Sequence, residues 1–226
     1  VPPCEEWGTL KKLKQEKEVV GIYISGHPLD DFKTEISRFC NCTASDFNNL
    51  ENFINREMCF GGMVGDVQHR ETKMGKGWAL FIVEDYNESY EFRIFGEQYL
   101  KFRHFLVPNS FIFIKALARE GWVNKETQKK GEPRLQFNSM QMLQEVMDSH
   151  AKKLTIQLPI DGVSDGSISN LKEIITSHKG DKHLELIIYE ASEKIKISMP
   201  SKKFKIDISS ELLKKLEDEQ IKYKLN

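Results

Sequence analysis

The sequence has no apolar run that approaches the roughly 20 residues needed to cross a bilayer, and it opens without a basic-then-apolar leader. No membrane partner is therefore expected. Its first residues, Val1-Pro2-Pro3, read as a cut made inside a longer chain. Cysteine is scarce. Cys4, Cys40, Cys42 and Cys59 are too few to staple a chain of 226 residues, so a reducing cytoplasm is the expected setting. Net charge is also nearly missing, at −1. Residues 1–57 carry 7 Lys and Arg against 10 Asp and Glu, residues 58–145 carry 12 against 11, and residues 152–226 carry 14 against 12. Such balance excludes tight, nonspecific duplex binding and leaves only local basic patches for nucleic acid.

Catalytic motifs are missing too. No nucleophile elbow, HExxH or GxGxxG pattern is present. Cys40-x-Cys42 with His27 or Cys59 lacks the paired CxxC spacing of a zinc site and is read as free thiols. The adjacent carboxylates Asp30-Asp31 and Glu84-Asp85 point apart on a helix or a strand, so neither pair converges on a metal or a proton. Lys73-Met74-Gly75-Lys76-Gly77 lacks the spacing of a phosphate-cradling loop. No catalytic residue, metal ligand or cofactor site is expected in these residues.

What is present falls into three patterns. Residues 1–57 are helical and then irregular, with one helix from Trp7 to about Tyr23 that stops at Ser25-Gly26. Leu29, Phe32, Ile36 and Phe39 mark a second helix, with Pro28 suited to its first turn. Residues 58–146 switch to period two. Gly62–His69, Trp78–Glu84 and Tyr90–Phe95 read as strands, Gly96–Leu106 as a short helix, and Phe111–Arg119 and Arg134–Met142 as two more strands. Strand, strand, strand, helix, strand, strand is the order of an OB-fold five-stranded barrel, and glycines in the first strand suit its bend. Some other small antiparallel sandwich is the alternative. Residues 152–226 mix strands at 153–158, 184–189, 194–199 and 204–208 with helices at 167–177 and after Ser209 or Ser210. The expected architecture is multidomain, a β barrel followed by a small α+β domain.

Barrels of this order bind single strands on the face of strands two and three, between the loops joining strands one to two and four to five. Arg70, Lys73, Lys76, Arg93, Arg119, Lys125, Lys129, Lys130 and Arg134 are the expected cations of that groove. Trp78, Tyr86, Tyr90 and Trp122 are the candidate stacking rings, whereas Phe81, Phe95, Phe111 and Phe113 are assigned to the core.

The segment Glu16-Lys17-Glu18-Val19-Val20-Gly21-Ile22-Tyr23-Ile24-Ser25-Gly26-His27-Pro28-Leu29 closely resembles the E-x-E-x-x-G-x-Y-x-S/T-G-H-P-hydrophobic segment of bacterial DNA polymerase III alpha subunits. The turn Thr72–Lys76, the pair Glu84-Asp85 and the run Glu91–Phe95 resemble that family's barrel, and residues 153–226 are similar in layout to its last domain. The resemblance implies the C-terminal part of a DNA-directed DNA polymerase, whose metal-bound (magnesium) carboxylates lie in a polymerase core absent from this chain. It also implies three partners: single-stranded template, the tau subunit of the clamp loader, and the sliding clamp through a motif upstream. The tail Gln220–Asn226 lacks the acidic ending of some relatives. A protein-interaction barrel without direct DNA binding, or the tRNA-binding barrel of a tRNA ligase, are the alternative functions.

Overall fold

The computed structural model describes residues 8–21, 23–121, 131–190, 192 and 194–226. The chain forms two compact units, Val1–Gln144 and Glu145–Asn226, so residues 8–57 and the first sheet share one unit.

In the first unit, α1 (Thr9–Val20) ends earlier than its pattern suggests. Gly21 takes the left-handed conformation at φ 88° and returns its N–H to the Lys17 carbonyl, closing the helix before the Tyr23–Pro28 loop. A 3-10 turn at Asp30–Phe32 leads into α2 (Lys33–Phe39). A second 3-10 stretch, Ala44–Phe53, is started by a reciprocal Thr43–Asp46 capping box.

Five antiparallel strands follow: β1 (Glu57–Glu71), β2 (Gly77–Glu84), β3 (Ser89–Phe95), then α3 (Gly96–Phe102), β4 (Phe111–Arg119) and β5 (Arg134–Met142). Their order in the sheet is β3-β2-β1-β4-β5. β1 serves both sides of this sheet. Its first half, Glu57–Met63, pairs with β4, and its second half, Met63–Glu71, pairs with β2 through a bulge between Val64 and Val67. Gly62 sits at the crossover. A Cβ there would lie 2.5 Å from the Glu84 carbonyl oxygen, a separation that only glycine avoids.

The bend rolls the sheet so that its inner face closes on itself. Phe92 of β3 lies within 4.9 Å of Phe47, 5.3 Å of Phe81 and 6.0 Å of both Phe60 and Phe137, measured between ring centroids. Phe137 belongs to β5, so the two ends of the strand order meet through their rings. No ladder joins β3 to β5 among the described residues. α3 lies beside that gap, and its Gln98 side chain donates to the Phe137 carbonyl at 3.4 Å. These buried aromatics, at about 1.5–3 kcal/mol each, are the main drive for rolling the sheet.

The second unit begins with α4 (Val146–His150) and β6 (Lys153–Pro159). Then come α5 (Asp165–Ser177), β7 (Lys179–Glu190), β8 (Ile195–Ile206), α6 (Ser210–Asp218) and β9 (Lys222–Leu225). The sheet order is β8-β7-β6-β9, with β6 and β7 parallel and the outer pairs antiparallel. The sequence pattern divides residues 194–208 into two pieces, but β8 is one strand, kinked against β7 by register shifts. The alternating tail is itself a strand, β9, which pairs with Leu154–Gln157. Ser164 caps α5 by accepting from the Ser167 N–H, and Ser209 caps α6 by accepting from the Leu212 N–H.

Candidate nucleic-acid interface

Cross-strand register builds the site. Arg70 of β1 stands opposite Trp78 of β2, and Trp78 stands opposite Phe95 of β3. In the next row, Gln68, Leu80 and Arg93 face one another in the same way. Directly paired residues project from one face of a sheet, so these six side chains form a single surface. The opposite parity, with Ala79, Phe81, Phe92 and Ile94, is buried.

The geometry of the first row is specific. The Trp78 and Phe95 rings are stacked, 5.3 Å apart and 16° from parallel. The Arg70 guanidinium lies 5.5 Å from the Trp78 ring centroid and also donates to Gln68 at 2.5 Å. Arg93 is exposed and pairs with Glu91 at 3.3 Å, a contact that solvent screening keeps weak. Phe95 is 54% exposed, which corrects its assignment to the core. Strand parity explains the error. In Ser89–Phe95 the residues Tyr90, Phe92 and Ile94 share one side, while Glu91, Arg93 and Phe95 share the other. The same parity corrects Tyr90, which is half-buried against Phe47 and Phe92 rather than free for stacking.

The remaining candidates divide into groups. Lys73 and Lys76 are exposed in the β1–β2 turn, which Gly75 closes at φ 71° with its N–H on the Thr72 carbonyl. Arg119 and Arg134 stand directly opposite each other where the β4–β5 ladder ends, and Arg119 Nε donates to Gln136 at 3.1 Å. Like charges in that register repel. Trp122, Lys125, Lys129 and Lys130 lie outside the described residues. Phe81 and Phe113 are buried as expected, whereas Phe111 is only half-buried and packs on Phe32 at 4.8 Å. Tyr86 is 37% exposed, and its hydroxyl donates to the Leu29 carbonyl at 2.8 Å.

A family model described as DNA polymerase III alpha subunit, C-terminal domain, matches residues 154–226. The DNA polymerase III subunit alpha of Campylobacter jejuni is 30% identical over 125 residues, covering 53% of this chain and 10% of that protein. The corresponding subunits of Pseudomonas aeruginosa and Bacillus subtilis are each 22% identical, over 212 and 216 residues, or 93% and 95% of this chain. The chain is similar to the C-terminal region of DNA polymerase III alpha subunits. It spans only 10%, 17% and 18% of the length of these three relatives.

The segment Glu16–Leu29 has a structural job in this chain. Glu16 Oε2 accepts from the backbone of Ile24 at 3.1 Å and of Ser25 at 2.9 Å, while Oε1 accepts from the Ser25 hydroxyl. These bonds hold the Glu16 carboxyl below its usual range. Lys17 Nζ lies 2.5 Å from Glu84 and 4.9 Å from the Tyr23 ring. The His27 ring packs edge-on against Tyr23 at 4.9 Å and tilted against Tyr86 at 4.6 Å. Partial burial pushes its pKa down, so the neutral ring accepts from the Leu29 N–H through Nδ1 at 3.1 Å. The loop Tyr23–Leu29 is thereby clasped to the β2–β3 turn. Asp85 completes the clasp by accepting from Ala44 N at 2.7 Å and from Asn87 and Glu88 N at 2.8 Å.

Burial pushes the Cys40 thiol up to about 12 and raises Cys42 and Cys59 as well, which leaves all three protonated and unreactive at neutral pH. Among the described residues no three His, Cys, Asp or Glu gather as a metal site, and no helix is long and apolar enough to cross a membrane.

Proposed function

We propose that this chain is the accessory end of a replicative DNA polymerase of the DNA polymerase III alpha kind. Its first unit, read as an OB fold, holds single-stranded template, and its last domain tethers the polymerase to the tau subunit of the clamp loader. Three features support the OB reading: the strand order, the bent first strand and the helix placed after β3. The tether reading is supported by the family match over residues 154–226. Nucleotide addition with magnesium, and the motif for the sliding clamp, would belong to parts of the parent protein outside this chain. A bacterial replisome also implies a cytoplasmic setting.

The observation that carries the template reading is the row Arg70–Trp78–Phe95. A half-buried indole stacked on an exposed phenyl ring, with exposed guanidinium groups beside them, suits unpaired bases, because every base offers a π-face and the phosphates meet the cations. Duplex DNA keeps its bases stacked and cannot use the platform. A fluorescein-labelled oligo-dT should therefore bind with about micromolar affinity at low salt, weaken steeply as salt rises, and outcompete a duplex of equal length.

One observation favours a second reading, a protein-interaction surface without direct DNA binding. Trp78 is already covered by Phe95 and Arg70, and Arg93 by Glu91. No change in oligo-dT anisotropy at low salt would select that reading.

A further inference from the structure

The outer edge of β8 is the unexplained surface. β8 ends the order β8-β7-β6-β9, so its outer side carries no ladder among the described residues. Ile195, Ile197 and Met199 are 50%, 53% and 39% exposed, and every second residue of a strand shares a face. Register shows which face. Met199 stands opposite Leu186, and Leu186 opposite Ile156, which is fully buried. The apolar face of the sheet therefore runs out to the edge and stops there uncovered.

Charge selects what could cover it. From Lys194 to Ile206 the chain carries Lys194, Lys196, Lys202, Lys203 and Lys205 and no acidic residue. A second copy pairing edge to edge would set lysine against lysine, which is unfavourable in a strand pair. A nucleic acid would meet the lysines but has no side chains to bury the Ile–Met row and no strand backbone to extend the ladder. The geometry points to the Ile195–Met199 edge as a docking strand for an extended protein segment in which acidic and apolar residues alternate. Such a segment adds backbone hydrogen bonds, lays its apolar side chains on the exposed row and neutralises the lysines. This inference deepens the tethering reading of the last domain and rests on it for the partner's identity, though not for the chemistry.

The test uses the whole chain and a labelled decapeptide alternating Glu with Val, with a Lys–Val decapeptide as control. Anisotropy should report binding of the Glu–Val peptide alone, and amide exchange within Ile195–Met199 should slow at least tenfold. Ile197→Asp should lose at least tenfold in affinity with an unchanged melting temperature. Equal behaviour of the two peptides, or no protection of these amides, overturns the inference. Protection by oligo-dT with displacement of the peptide overturns it in favour of nucleic acid. Purified tau subunit separates the two readings. If tau binds wild type and Ile197→Asp equally, the docking strand is wrong and the tether stands. If the peptide binds and tau does not, the docking strand stands and the tether falls.

Discussion

The indole of Trp78 and the phenyl ring of Phe95 stack across the β2–β3 ladder, 5.3 Å apart, with Phe95 more than half exposed. A pair placed only for stability would be buried, because an exposed ring forgoes most of its transfer free energy. Its neighbours Arg70 and Arg93 are also on the solvent side. On the proposed template reading, this surface takes a flat, anionic ligand.

Phe92 and Phe95, three residues apart, should respond in opposite ways to truncation. Phe92 is the hub of five other rings, so Phe92→Ala should cost about 3–5 kcal/mol in urea unfolding. Phe95→Ala should cost under about 1 kcal/mol, since it opens no cavity.

Gly62→Ala should destabilise the first unit by about 1–3 kcal/mol, measured by thermal melting, because the new methyl meets the Glu84 carbonyl and the Val83 side chain. Gly75→Ala, in an open turn, should cost only the strain of its positive φ.

Glu185 should give the second unit a pH signature. Its carboxylate accepts from the Ser198 hydroxyl, from Lys153 at 2.9 Å and from Thr155 at 3.3 Å, which lowers its pKa from 4.5 to about 2. The unfolded chain then binds the proton first. The contribution is complete above about pH 4.5, falls as pH drops from there, and is gone below about 2. The melting difference between wild type and Glu185→Gln should be largest above pH 5 and shrink across that window. A constant difference would contradict the network.

Much of this was legible in the sequence. Alternation located all five strands of the first sheet, and Gly62 together with Gly65 marked the strand that bends, but the first half of that strand, Glu57–Gly61, which pairs with β4, lay outside the Gly62–His69 pattern. The helix after β3 was also readable, and so was a cap at Ser209 or Ser210, of which the fold uses Ser209. What was missed depends on pairing. Phe95 was assigned to the core from its residue type, although its parity with Arg93 places it outside; the partner strand that sets this parity is visible only in the fold. Nothing local announces the hydrogen bond from the Tyr86 hydroxyl to Leu29, 57 residues away. The tail strand β9 was missed because four residues with two lysines form a strand only when β6 offers an edge. The end of α1 was misplaced because Gly21 closes a helix more readily than the later Ser25-Gly26.

If the Arg70–Trp78–Phe95 row holds a single strand, removing its members must weaken binding without lowering stability. Oligo-dT anisotropy is read at low salt for wild type, Phe95→Ala and Arg70→Ala, with melting temperatures recorded in parallel. One stacking interaction is worth about 1–3 kcal/mol, so Phe95→Ala should weaken binding by roughly 5- to 150-fold at an unchanged melting temperature. Arg70→Ala should weaken it and reduce the salt slope by about one. Wild-type affinity in both variants would show that the row does not hold the strand.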